Sequence, residues 1–416
     1  MRTFVNGNER SNVSREGSKN GLLIFSLVFL CRFVFPGELL PLRQPERVGL
    51  DGRSLSRIGD VVVQSIADGL LPGAVVLVGR GNVVVFRRAF GNRVVGSRAE
   101  PMTVDTIFDL ASLTKPIATA ASVWKLVERG RLRLWDKVSQ FLPEFKTDDK
   151  EDAENPVRLF HLLTHTSGLP SYLDVKELPG GANPITLEAL IHEIARAKRS
   201  DPPGRTFRYS CLGYVILGYI VREVSGKRLN EFAAENLFGP LGMRDTFYCP
   251  AEEFHGRIAP TEVIEGRPLR GVVHDPLARL IGGVSGNAGL FSTADDLARF
   301  SMMLLNKGTY GGRRIFSPLT IRAYTEVYPP LAGLGRSPGW DVDTDFSSPR
   351  GDLFPSGSFG HTGFTGTSIW IDPGTGLFVI FLSNSVHPAG RGDVIRLRGL
   401  VANLAAASVL DLGKRQ

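Results

Sequence analysis

Cysteine is scarce in this chain: three residues in 416, at positions 31, 211 and 249. None stands in a C-x-x-C pair or at metal-ligand spacing, so neither a disulfide framework nor a thiolate metal centre organises the fold. A Cys211–Cys249 bridge stays open, with two buried thiols as the simpler reading. Basic blocks are also missing. The net charge is +7, but the 49 lysines and arginines are scattered, which argues against a nucleic-acid partner. No phosphate-binding glycine loop, internal repeat or low-complexity tract is visible, and no cofactor is implied. His161 and His165 stand four apart, yet Leu162-Leu163-Thr164 lacks the glutamate of H-E-x-x-H. The segment reads as a buried helix leading into the Ser167-Gly168 turn, and no metal is expected.

An apolar run long enough to cross a bilayer, about 20 residues, is lacking as well. Residues 1–37 contain a polar leader with Arg10, Arg15 and Lys19, then the 11-residue run Gly21–Cys31 (GLLIFSLVFLC). Its length and basic flank suit the apolar region of a secretory signal. The expectation is an exported protein, periplasmic or extracellular, with no stable membrane span beyond that segment. The small-x-small cleavage pattern is poor, so cleavage stays open, as do a mis-chosen start and an anchoring stub.

What is present is a large apolar fraction, 43%, enough for a sizeable core. Residues 50–71 are helical in pattern. Ala74–Val78 and Val83–Ala89, split by Gly79-Arg80-Gly81-Asn82, read as a β-hairpin. Helical patterns with many breaks run from about residue 136 to 250, with a strong apolar helix at Leu212–Val224 and another at Thr293–Leu305. Gly366–Ile371 and Leu377–Ser383 form a second hairpin, and Ile395–Leu410 a last helix. Strands at both ends with helices between predict an α+β fold: one antiparallel sheet built from both termini, flanked by helices, with a helical subdomain inserted at roughly 136–290 of a 45–412 domain.

Ser112-Leu113-Thr114-Lys115 carries the chemistry. Three residues apart on a helix, the hydroxyl and the amine face the same way. A serine hydroxyl becomes a good nucleophile when a base takes its proton, which a neutral lysine can do. Pro116 fits only a first helical turn, so the helix begins at or just before the serine. Alone the tetrapeptide is weak, and Ser112 could be an ordinary cap with Lys115 solvated. A second serine pattern, Gly335-Arg336-Ser337-Pro338-Gly339, fits G-x-S-x-G but lacks the strand before and helix after that a nucleophile elbow needs.

Three further motifs follow in order: Leu162-Leu163-Thr164-His165-Thr166-Ser167-Gly168-Leu169-Pro170, Tyr209-Ser210-Cys211 and His361-Thr362-Gly363. With the S-x-x-K motif they resemble the serine β-lactamase-related hydrolases: class C β-lactamases, penicillin-binding D,D-carboxypeptidases, D-aminopeptidases and carboxylesterases of that fold. The resemblance covers nearly everything after residue 45. It implies a serine hydrolase in which Ser112 forms an acyl-enzyme and Lys115 takes or shares its proton. Tyr209 would activate water and protonate the leaving group, and the backbone N–H groups of Ser112 and Phe364 would form the oxyanion hole. Cys211, His361, Thr362 and Gly363 would contact substrate. As a base near pH 7, Lys115 must fall from about 10.4 at a cost of roughly 4 kcal/mol.

Two departures from the family pattern bear on substrate. Cys211 stands where asparagine is frequent, and His361 where the third motif often begins with lysine. A largely neutral histidine weakens a fixed charge for a substrate carboxylate. The expected substrate is therefore a small, neutral ester or amide, with a cell-wall peptide or β-lactam as the alternative, and anionic substrates should bind better below about pH 6.5. Bland roles stay open: Tyr209 as a core tyrosine, His361 as a strand-edge residue, Cys211 as packing. A non-catalytic wall-binding or sensing module and a metal hydrolase are the readings from other classes.

Overall fold

The computed structural model describes residues 39–145, 154–179, 181, 183–390 and 392–412. The segment 1–37, with Cys31 inside it, lies outside the described residues. The apolar run Gly73–Arg80 forms strand β1. It pairs antiparallel on one side with β2 (Val83–Val94), which follows it, and on the other with β9 (Leu377–Ser383), which returns from the far end of the chain. The register runs from Ala74 opposite Ser383 to Arg80 opposite Leu377. With β3 (Glu100–Pro101), β7 (Phe359–Thr362) and β8 (Ser368–Ile371), the sheet order is β7-β8-β9-β1-β2-β3. The antiparallel sheet drawn from both termini is as the sequence predicts.

Alternation along β1 assigns the two faces. Ala74, Val76 and Val78 pack against helices α1 (Gly52–Ala67) and α6 (Ile395–Ala407), with Leu55, Ile58, Leu397 and Val401. Val75 and Leu77 face the larger core, which includes Ile117, Leu217 and Leu297 from α2 (Ala121–Glu128) and its approach, α4 (Cys211–Ser225) and α5 (Ala294–Leu305). Helix α3 (Leu187–Arg196) adds Leu190, Ile191 and Ile194 to that core. Asp51 caps α1 by accepting from the N–H groups of Arg53 and Ser54 at 3.1 and 3.0 Å.

A second sheet is absent from the sequence reading. β4 (Phe108–Asp109), β5 (Phe247–Tyr248) and β6 (Leu290–Ser292) lie in the order β4-β6-β5. Two or three residues are too few for an alternation to register. This small sheet aims the chain into the Ser112 turn. The helix there is also less regular than predicted: a 3₁₀ turn at Ala111–Leu113, a wide π-type turn over Lys115–Ala120, then α2. Ala111 sits at φ +46°, a strained position for a non-glycine residue and one that clusters at functional sites. The two described cysteines are free; Cys211 is half-buried and Cys249 exposed, which corrects the expectation of two buried thiols.

Candidate active site

Lys115 is fully buried, and its Nζ donates to Ser112 Oγ at 3.0 Å, the Asn287 carbonyl at 3.0 Å and Cys211 Sγ at 3.4 Å. Burial acts to lower the Lys115 pKa, but negative charge on Cys211 and then Tyr209 acts to raise it, and the balance lies above the ordinary lysine range. The resting lysine is thus charged, against the expectation of a lowered value: the wide π-type turn brings it under a thiol and a phenol rather than into a purely apolar pocket.

Tyr209 lies over this group, its ring 5.1 Å from Lys115 Nζ. The ring sits between His165 at 4.4 Å and Phe346 at 5.3 Å. Burial pushes the phenol above its ordinary pKa, while the Lys115 charge and hydrogen bonds to Ser112 and Lys115 pull it back. The His165–Pro170 loop holds the tyrosine in place. His165 has φ +58°, its carbonyl accepts from Arg208 N–H at 2.8 Å, and its Nδ1 accepts from Ser210 N–H at 3.1 Å. Ser210 Oγ donates to the Pro170 carbonyl at 2.6 Å. His161 stays apart, its Nδ1 accepting from Arg158 N–H at 3.0 Å. Among the described residues no cluster of three or more His, Cys, Asp or Glu converges as metal ligands would, and no helix is long and apolar enough to cross a membrane.

The third wall is the end of β7. His361 Nδ1 lies 2.8 Å from the Thr362 carbonyl, which can only accept, so Nδ1 carries the hydrogen and Nε2 the lone pair. That Nε2 is buried without a partner. Burial, then the charges of Arg336 and Lys115, hold the ring well below its ordinary pKa. The expected switch near pH 6.5 is corrected accordingly: a buried imidazole between two cations stays neutral. Ser112, Tyr209, His361, Thr362, Gly363 and Phe364 line one cavity of about 170 Å³. Residues far apart in sequence are thus brought together. Cys211 is not on that wall; it lies beside Lys115, where Asn287 also faces it.

Several contributors escaped the sequence reading. Thr365 Oγ1 donates to the Asp109 carbonyl at 2.8 Å and Thr367 Oγ1 to the Leu110 carbonyl at 3.1 Å. They staple the turn after β7 to the approach to Ser112. Asp109 itself accepts from Ala111 N–H at 2.9 Å and His274 N–H at 2.7 Å, bracing the strained residue before the serine. Arg336 also lines the cavity. Its neighbour Ser337 does not: the Ser337 hydroxyl is buried, donates to the Tyr324 carbonyl at 2.9 Å and accepts from Trp340 N–H at 3.0 Å. The G-x-S-x-G pattern is a packed turn, and its arginine, not its serine, reaches the site.

Comparison with known proteins agrees with this geometry. A family model described as Beta-lactamase matches residues 58–403. A Salmonella typhimurium protein provisionally named a D-alanyl-D-alanine carboxypeptidase is 32% identical over 415 residues, covering 93% of this chain and 95% of its own length. Among solved structures, EstCE1, a hydrolase with promiscuous acyltransferase activity, superposes with a TM-score of 0.67 at 25% identity, over 85% of this chain and 99% of that one. A penicillin-binding protein homologue from Caulobacter crescentus gives a TM-score of 0.65 at 24% identity, over 86% and 99%. The chain belongs to the β-lactamase family and is a serine hydrolase of the β-lactamase and penicillin-binding-protein fold.

Proposed function

We propose that this protein hydrolyses a small ester or amide through an acyl-enzyme on Ser112. The observation that carries the reading is the Lys115 Nζ to Ser112 Oγ contact of 3.0 Å beside a cavity that Ser112 and Tyr209 both line. The competent form is the one in which the Lys115–Tyr209 pair has lost one proton. Ser112 Oγ attacks the carbonyl carbon, its proton passes to the Lys115 amine, and Tyr209 gives its own to the leaving group. The tyrosinate then recovers a proton from Lys115. Water repeats the sequence against the acyl-enzyme. The backbone N–H groups of Ser112 and Phe364 serve as oxyanion donors, each contributing about 3 kcal/mol. Thr362 and Gly363 form the substrate-side edge, and Cys211 tunes Lys115 rather than touching the acyl group.

The test is a panel of p-nitrophenyl esters, nitrocefin and D-amino-acid amides on wild type and Ser112→Ala. Loss of at least a thousandfold in the variant is expected; undiminished turnover would sink the reading. A D,D-carboxypeptidase is the second reading, supported by the provisional name of the 32% identical Salmonella relative. Faster turnover of D-alanyl-D-alanine peptides than of short esters would favour it. A sensing module would label with penicillin and release the label slowly. Export is part of the proposal and rests on the apolar run at residues 21–31; recovery of the protein only from the cytoplasm would count against it.

A further inference from the structure

Asp109 is a buried acid whose hydrogen bonds run to three separate stretches of chain. It is 2% exposed. Strand β4 holds its backbone opposite Phe291 of β6, and the Leu290 carbonyl accepts from the next N–H, that of Leu110, at 2.9 Å. On this fixed main chain, Oδ1 accepts from Ala111 N–H at 2.9 Å and Oδ2 from His274 N–H at 2.7 Å. The Asp109 backbone carbonyl accepts from Thr365 Oγ1 at 2.8 Å. The bond from side chain to the N–H two residues on is an Asx turn. It sets the path into Ala111, whose φ of +46° is a conformation that needs support from its surroundings.

These stretches carry or brace the two oxyanion donors. Ser112 N–H belongs to the peptide that follows Ala111, so the Oδ1 bond governs its direction. Phe364 N–H lies beside Thr365, which hangs on the Asp109 carbonyl, and Thr367 Oγ1 adds a second tie to the Leu110 carbonyl at 3.1 Å. The Phe364 ring stacks on the His274 ring, with centroids 5.4 Å apart and planes at 24°. His274 is in turn held by Asp109 Oδ2, and its Nε2 lies 3.4 Å from Glu262 Oε1. Phe364 is 48% exposed, so packing on its outer side does little to fix it. Both donors thus take their places from one residue that is not itself among those lining the cavity.

We infer that Asp109 is a positioning residue: it sets the spacing between the Ser112 and Phe364 N–H groups, and so stabilises the tetrahedral transition state rather than the bound ester. The inference rests on the Ser112 reading above. The oxyanion forms only after Ser112 Oγ attacks, so a bound ester gains little from correct spacing while the transition state gains much. Asparagine is the informative replacement. It keeps the shape, but one acceptor oxygen becomes an NH2 that would face an N–H donor. Asp109→Asn can therefore satisfy Ala111 or His274, not both. Losing the first frees the peptide of Ser112, and losing the second frees the ring that braces Phe364.

The experiment measures three quantities on wild type and Asp109→Asn. Burst kinetics with p-nitrophenyl acetate give the dissociation constant of the ester and the rate constant of acylation, and inhibition gives Ki for phenylboronic acid. Ser112 Oγ adds to boron with loss of its proton, and the tetrahedral anion that results places an oxygen at the oxyanion donors. Asp109→Asn should raise that Ki and slow acylation, each by about 30- to 100-fold, while the ester dissociation constant stays within about threefold. All three are properties of molecules with a working serine, so a smaller folded fraction lowers only the burst amplitude. Thr365→Val removes the tie to the Asp109 carbonyl and should show the same pattern; Thr365→Ser keeps the hydroxyl and should recover most of the loss. If Asp109→Asn does not fold, the Thr365 pair decides, and equal Ki values in its two variants would overturn the assignment. An Asp109→Asn Ki within threefold of wild type, or a loss carried by the dissociation constant, would overturn it too. Ester hydrolysis by Ser112→Ala would instead overturn the acyl-enzyme reading itself.

Discussion

Gly363 lies where the turn after β7 meets the approach to the nucleophile. A Cβ added there would stand 2.1 Å from Thr367 Oγ1 and 2.4 Å from the Leu110 carbonyl oxygen. The hydroxyl can rotate away, but the carbonyl belongs to backbone two residues before Ser112. To reach an ordinary contact of 3.4 Å it must retreat by about 1 Å (3.4 − 2.4). Gly363 has no positive φ, so alanine is tolerable in backbone terms and the perturbation is steric. The Gly363 N–H bond to the Thr367 carbonyl at 2.7 Å resists the movement, so the strain falls on the spacing between Ser112 and Phe364. A displacement of about 1 Å costs about 100-fold in a positioned reaction. Gly363→Ala should therefore lower kcat on p-nitrophenyl acetate about 100-fold. The thermal midpoint should fall by only a few degrees, because the sheet core is untouched. Stopped-flow release of p-nitrophenolate separates the burst of acylation from turnover, and both should slow. A variant within threefold of wild type would refute the claim that this edge sets the geometry at Ser112.

Tyr209→Phe keeps the ring between His165 and Phe346 but removes the phenol, so kcat should drop 10²–10⁴-fold with little change in midpoint; comparable activity would reassign the tyrosine to packing. Since Lys115 is held above the ordinary lysine range, its ammonium persists through neutrality, and the competent form gains about tenfold per pH unit. A kcat/KM profile on a neutral ester should climb from about pH 6 to 9 with no break near 6.5, because burial keeps His165 and His361 neutral; a plateau beginning at 6.5 would contradict both statements. His161 is held at about 3 by burial and then by Arg158. The folded ring is neutral above that value while the unfolded one protonates below about 6.5, so this site costs the fold nothing above pH 6.5 and about 1.4 kcal/mol per pH unit below it. Asp296, raised to about 7 chiefly by burial, has the opposite sign, gaining stability as pH falls from 7. The clean measurement is therefore the difference between wild type and His161→Gln in urea unfolding, which should move by about 2 kcal/mol in favour of the variant between pH 7.5 and 5; a pH-independent difference would rule this out.

The parts of the fold legible in the sequence share a physical trait: long periodic runs. β1, β2 and β9 are apolar stretches bounded by turns; α4, α5 and α6 fall within three residues of the expected bounds and α1 within four. The S-x-x-K, Tyr-Ser-Cys and His-Thr-Gly motifs could be ordered by their resemblance, although nothing in their spacing states that they meet. The illegible parts are short or defined by tertiary contact. A strand of two residues such as Phe247–Tyr248 carries no period, and the wide turn at Lys115–Ala120 depends on packing rather than on composition. The expectation of a lowered Lys115 weighs burial and a second positive group, and a sequence does not say which thiol and phenol will fold over an amine. Arg336 stands beside a serine in a pattern that is no nucleophile elbow; its burial beside the cavity is a property of the 335–343 loop closing on β7.

The Arg336 loop bears on the charge of the site. The replacement of a motif lysine by His361 suggests a site without positive charge, and the neutral tautomer enforced by Thr362 agrees as far as that residue goes. The site as a whole still has a fixed cation, contributed by a loop outside the three motifs. A guanidinium and an ammonium are not equivalent here. Lysine would add a second titratable amine near Lys115 and oppose its charge, whereas arginine stays protonated and directs its donors along one planar edge. In the proposed mechanism Lys115 exchanges a proton with Ser112 and Tyr209, and Arg336 takes no part in that exchange. Substituting Lys115 should then alter the pH profile, and substituting Arg336 should leave that profile in place. If Arg336→Gln shifted the alkaline rise by a full pH unit, the two cations would be acting as one electrostatic unit and the separation argued here would be wrong.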